Sequence, residues 1–75
     1  MDALDLVKAL HRLGYQVVRQ TGSHIRLHCE QPAAHSLTVP NHAPIKLGTL
    51  AAILLDIASA RRISKEELAR QLWSE

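Results

Sequence analysis

The stretch Arg19-Gln20-Thr21-Gly22-Ser23-His24 sets a histidine just past a tight turn, with Arg26 two residues further on. Histidine is the one side chain whose ordinary pKa lets it both take and give a proton near neutral pH, so His24 is the first candidate for proton-transfer chemistry. Gly22 beside it leaves room for a ligand to approach the backbone. The plain alternative is a surface or packing histidine with no chemistry of its own. Arg26 and Lys46 are cations suited to a phosphate, and the amide end of a helix starting near Leu47 would offer a second anion site. Two other chemistries fit poorly. Ser23 could be read as a nucleophile beside His24, yet no carboxylate lies nearby in sequence to orient the imidazole, and strand alternation is expected to send the two side chains to opposite faces. His24, His28 and Cys29 suggest a metal, but the spacing of four that pairs histidine ligands belongs to a helix, and in a strand Cys29 faces away from both; neither metal nor cofactor is expected.

Charge draws attention to the same region. The chain has 75 residues and a net charge of only +2. Residues 11–48, however, hold Arg12, Arg19, Arg26 and Lys46 against the single acid Glu30, together with all five histidines. Such a patch suits a polyanion such as RNA, or is simply a solvated basic face. The length allows one domain, residues 1–75, with a modest core, close to the size at which a binding partner becomes a reasonable expectation. One cysteine excludes an internal disulfide framework, and Met1-Asp2-Ala3-Leu4-Asp5 lacks the basic end and apolar stretch of a secretory signal, so a cytoplasmic location is expected. The longest apolar run, residues 50–55, is far short of the roughly 20 residues a bilayer requires, and no membrane role is expected.

The elements that must position these residues are legible in outline. Asp2 or Asp5 can open a helix with Leu6, Val7, Leu10 and Leu13 at helical spacing, stopped by Gly14. Residues 15–20 read as a strand, Thr21-Gly22 as a turn, and residues 23–30 as a second strand with Ile25, Leu27 and Cys29 on one face and His24, Arg26 and His28 on the other. After a loop at 31–34, residues 36–39 make a short third strand closed by Pro40. Leu47, Leu50, Ile53, Leu54 and Ile57 mark an amphipathic helix to about residue 60, expected to be the main core helix. Ser64 to Glu67 fits a capping box ahead of a short last helix holding Leu68, Leu72 and Trp73. The order gives an α+β fold with a three-stranded antiparallel sheet, helices on one face, and an open face carrying His24, Arg26 and His28.

Four motifs in this order, Arg19-Gln20-x-Gly22-Ser23-His24, Val39-Pro40-x-His42, Gly48-Thr49-Leu50-x-x-Ile53-Leu54 and Ile63-Ser64-x-Glu66-Glu67-Leu68, resemble the HicA family of toxin-antitoxin mRNA interferases. The likeness runs over nearly the whole chain and departs at Glu30 to His35, a longer turn than that family's compact hairpin. It implies a fold like a double-stranded RNA-binding domain, metal-independent cleavage of mRNA by one histidine, which falls on His24, and inhibition by a HicB-type antitoxin that masks the site. Any DNA contact would then come only through the antitoxin. RNA can cleave itself when its 2'-hydroxyl attacks the adjacent phosphate, so the enzyme needs a base, a cation and an acid. His24 would supply the base or the acid, with Arg19, Ser23, Arg26, His28, His42 and Lys46 as contacts to RNA and its phosphates. The second proton-transfer group is left open between His42, approaching from its loop, and His28, on the same strand face and expected roughly 7 Å along the strand, across a bound phosphate.

Two other function classes fit the same fold. A non-catalytic RNA-binding module would read duplex shape, since Tyr15 and Trp73 are the only aromatics and provide no platform for single strands. Such a binder has no need of a histidine set in a tight turn. A pure interaction protein would dock a partner on the open face and leave RNA intact. A helix-turn-helix over residues 47–73 is disfavoured because Glu66 and Glu67, early in its second helix, would repel DNA phosphates.

Overall fold

The computed structural model describes residues 1–73. Its elements are α1 (Ala3–Arg12), β1 (Gln16–Gln20), β2 (His24–Cys29), β3 (His35–Pro40), α2 (Leu47–Arg61) and α3 (Lys65–Trp73). The strands form one antiparallel sheet in the order β1-β2-β3. The open-faced α+β layout expected from the sequence is the one observed. Among the described residues, no helix is long and apolar enough to cross a membrane.

Local chemistry accounts for most element ends. At the end of α1, Gly14 takes a φ of +98°, a conformation that a Cβ would strain. Its amide bonds the His11 carbonyl at 3.0 Å while the Tyr15 amide returns to the Leu10 carbonyl at 3.1 Å, the paired closure of a Schellman motif. Helix α2 ends in the same pair of bonds, Arg62 to Ser59 and Ile63 to Ala58, but the left-handed residue is Arg62 at φ 58° rather than a glycine. Only half of the expected capping box forms at α3. The Glu67 amide donates to Ser64 Oγ at 3.0 Å, whereas the Glu67 carboxylate turns forward to Gln71 and Arg70, both at 3.3 Å.

The core lies between the sheet and the helices. Along β2 the alternation is as expected: Ile25, Leu27 and Cys29 are buried, while His24 and Arg26 are exposed and His28 is half-buried. They pack with Leu6, Leu10, Val39, Ile57, Leu68 and Leu72, all removed from solvent. One expectation needs correction. Helix α2 is not the main core helix: only Ile57 and Ala58 are fully buried, Leu50, Ile53 and Leu54 pack partly, and Leu47 is 82% exposed because it lies in the first turn, ahead of the residues that reach the core. Trp73, in the last turn of α3 as expected, is exposed, and the inward positions of that helix are Leu68 and Leu72.

Tyr15 precedes β1 rather than belonging to it, and is the largest fully buried side chain. Its hydroxyl hydrogen-bonds His35 Nδ1 at 2.6 Å, His35 Nε2 lies 3.3 Å from the Asp56 carboxylate, and the Arg61 guanidinium stands 5.5 Å from the centre of the tyrosine ring while donating to the Leu13 carbonyl at 2.7 Å. This cluster ties the start of β1 to β3 and to α2. Burial of the phenol, reinforced by the neighbouring Cys29 thiol, pushes its pKa from 10.0 up to about 12. Folding therefore favours the neutral phenol. That contribution is whole below pH 10 and is lost as the pH climbs towards 12. Thermal melting across this window should show a falling midpoint, with a shallower fall for Tyr15→Phe; equal slopes in the two proteins would exclude Tyr15 as the cause.

Candidate functional site

His24 opens β2 opposite Pro40, the last residue of β3. Its backbone is clamped by Thr21: the His24 amide donates to Thr21 Oγ1 at 3.2 Å, and the Thr21 amide donates to the His24 carbonyl at 2.9 Å. The turn is fastened in its own right to the loop after β3. The Asn41 amide donates to the Ser23 carbonyl at 2.9 Å and Asn41 Nδ2 to the Gly22 carbonyl at 3.3 Å. Gly22 needs no unusual φ and a Cβ there would meet open space, so neither backbone strain nor crowding requires a glycine at this position.

The expected separation of Ser23 from His24 is overturned. Ser23 lies in the bend before β2, where strand alternation does not apply, and its Oγ is 3.0 Å from His24 Nδ1. In the tautomer whose Nδ1–H donates to this hydroxyl, Nε2 carries the lone pair and can accept a proton. Ser23 would then orient the ring; acting as a nucleophile would require the other tautomer, with the imidazole held from Nε2.

Register places the cations. Arg26 faces Thr38 across β3 and donates to its Oγ1 at 3.0 Å. On the other side it faces Arg19, because the β1–β2 pairing slips between Val17 and Arg19. Without that bulge at Val18, Arg19 would pair with Ile25 and point to the helical face; the extra residue re-aims it onto the open face. Two guanidiniums directly opposite each other repel, and an anion between them relieves the repulsion.

His28 stands at the far end of the same face, opposite Gln16 on β1 and Ser36 on β3. Its Nδ1 meets Ser36 Oγ at 2.6 Å and its Nε2 meets Glu30 Oε2 at 3.1 Å. The expected distance to His24 was too short. Four residues at a strand rise of about 3.3 Å separate the two by about 13 Å along β2, too far to span one phosphate. Sequence reasoning also missed Glu30 and Ser36 as partners of His28. The signal was present in the two-residue spacing of His28 and Glu30, which puts both on one face of an extended chain.

The remaining residues are less closely assembled. His42 is exposed in the loop just after Asn41, its carbonyl accepting from the Ala3 amide at 3.1 Å, so it flanks the His24 end of the sheet. Lys46 is exposed at the head of α2, whose first turn has neither a side-chain cap nor an acidic residue. The five histidines do not form one group: His11 hydrogen-bonds the Tyr15 carbonyl and His35 belongs to the tyrosine cluster. No group of three or more histidine, cysteine or acidic side chains among the described residues is arranged to hold a metal ion.

The uncovered face of a small sheet backed by helices thus carries His24, held at its backbone by Thr21, and the facing pair Arg19 and Arg26. A family model described as HicA toxin of bacterial toxin-antitoxin matches residues 4–58. The chain belongs to that family and is the toxin of a toxin-antitoxin pair, which implies an antitoxin as its partner. Searches of the curated proteins and of the solved structures gave no match.

Proposed function

We propose that this chain, acting as one domain, is a metal-independent endoribonuclease that cleaves mRNA through His24 in the cytoplasm and is silenced by a HicB-type antitoxin. The observation that carries the reading is the His24 imidazole, exposed beside the facing Arg19 and Arg26, clamped at its backbone by Thr21 and oriented through Nδ1 by Ser23. Nε2 takes the proton of the 2'-hydroxyl as it attacks the adjacent phosphate. The new P–O bond displaces the 5'-oxygen, which leaves with a proton from an acid. Arg26, steadied by Thr38, and Arg19 balance the charge that builds on the phosphorane. For the acid, His42, exposed in the loop that follows β3 at the His24 end of the sheet, is the candidate in preference to His28, about 13 Å along the strand. His28 and Lys46 contact the RNA chain on either side. Purified protein with a defined RNA tests this directly: cleavage should persist in chelator and leave 2',3'-cyclic phosphate ends, and chelator-sensitive cleavage or linear 3'-hydroxyl ends would rule the chemistry out.

Ser23→Ala should lower kcat by about three- to tenfold with KM unchanged, the worth of one orienting hydrogen bond. Unchanged kcat would remove Ser23 from the mechanism. The antitoxin is expected to cover His24 and Arg26, and hydrogen exchange of the complex that protects neither strand end nor turn would count against that.

A further inference from the structure

At the His28 end of the sheet, where the turn after α1 meets the ends of β1 and β2, lies a cavity of about 460 Å³ lined by Leu13, Gly14, Val18 and Cys29 on its apolar side and by Gln16, His28, Glu30 and Gln31 on its polar side. Its volume falls in the range of about 300–1,000 Å³ found for small-molecule sites. The lining combines an apolar wall, one imidazole ring and three hydrogen-bonding side chains. Two local irregularities create it: the bulge at Val18, and the turn beyond β2 that carries Glu30 and Gln31. Glu30 holds the His28 ring with Oε2 while its side chain stays 75% exposed, so its second oxygen remains open as an acceptor.

An RNA strand laid along β2 with a phosphate at His24 and Arg26 carries a neighbouring nucleotide to the His28 end, about 13 Å away. We propose that this cavity is a nucleobase-binding site, reading one base near the cleaved phosphate and preferring adenine, cytosine or guanine to uracil. The inference rests on RNA being the ligand of this face. The His28 ring offers a surface on which a base can stack, and Val18 and Leu13 add apolar contact from the same lining. The Glu30 carboxylate accepts from an exocyclic amino group, which adenine, cytosine and guanine carry. Uracil lacks an exocyclic amino group, and its one edge donor, N3–H, is flanked by two carbonyl oxygens that face the carboxylate with like partial charge. The exposed amides of Gln16 and Gln31 can donate to ring nitrogens or carbonyls of the favoured bases.

Nuclear magnetic resonance titration of the full chain with the 5'-monophosphates of adenosine, cytidine, guanosine and uridine at one salt concentration tests this. The first three should shift the side-chain amides of Gln16 and Gln31 and the methyls of Val18, and uridine monophosphate should bind about tenfold more weakly. Glu30→Gln should narrow that gap to about threefold or less, because the new amide can donate to uracil. Gln16→Ala, at an exposed position, should weaken the three favoured nucleotides without changing the fold. Equal affinity for all four with shifts confined to Arg19 and Arg26, or no shift at the cavity at all, would overturn the base site. Monophosphates are bound and not cleaved, so the two readings fail separately. Intact RNA cleavage with equal binding defeats only the base site, and cavity shifts without any RNA cleavage defeat only the ribonuclease.

Discussion

His24→Ala should lower RNA cleavage by about 10² to 10⁴ fold, the usual worth of a positioned proton-transfer group, while leaving the fold and its melting temperature nearly unchanged. The asymmetry follows from where the contacts lie. Thr21 bonds the backbone amide and carbonyl of residue 24, and these bonds survive removal of the ring. The imidazole is exposed and its one side-chain partner, Ser23, is exposed too, so truncation buries no unsatisfied group and opens no cavity. Initial rates on a short RNA, measured beside circular dichroism melts, check both halves. A variant that unfolds would mean that His24 is a packing residue, and one that keeps its rate would mean that the proton is handled elsewhere.

Tyr15→Ala should do the reverse, costing about 3–5 kcal/mol of stability. For a chain of this length the whole folding free energy is on the order of 4–11 kcal/mol, so the variant should lose a large fraction of its stability and unfold at much lower urea. Packing is one reason, since Tyr15 is the largest side chain fully removed from solvent. The other is polar. Without the phenol, half-buried His35 loses its 2.6 Å partner and keeps only Asp56, and Arg61, whose Nε already lacks a partner, loses the ring beneath it. Urea unfolding of the two proteins measures the difference; a loss below about 1 kcal/mol would show that the core can close over the gap.

Much of this arrangement is legible in the residues because period and stop signals agree there. His24 to Cys29 alternates cleanly between faces, Gly14 ends α1 where only a residue tolerant of positive φ fits, and the order of elements follows from the apolar spacing. What escapes is set by pairing between strands. Nothing local in Gln16 to Gln20 announces that Val18 will bulge, yet that slip turns Arg19 to the open face and shapes one wall of the cavity. Ser23 was misplaced because the strand starts one residue later than its polar alternation suggests. Helix α2 was overrated as core because apolar content says how greasy a helix is, and not how much of its surface its neighbours cover; Leu47 and Leu55 remain exposed. For the site, the residue types were readable and the distances were not. His28 carries its own carboxylate and hydroxyl partners and stands about four strand residues from His24.

A ribonuclease toxin that works through His24 must lose its toxicity with that ring. The most direct test is growth of cells expressing the native chain beside cells expressing His24→Ala at equal protein level, with total RNA separated on a gel. Growth arrest and loss of mRNA with the native chain alone is the predicted result. Intact RNA in both cultures, or equal RNA loss in both, would contradict it.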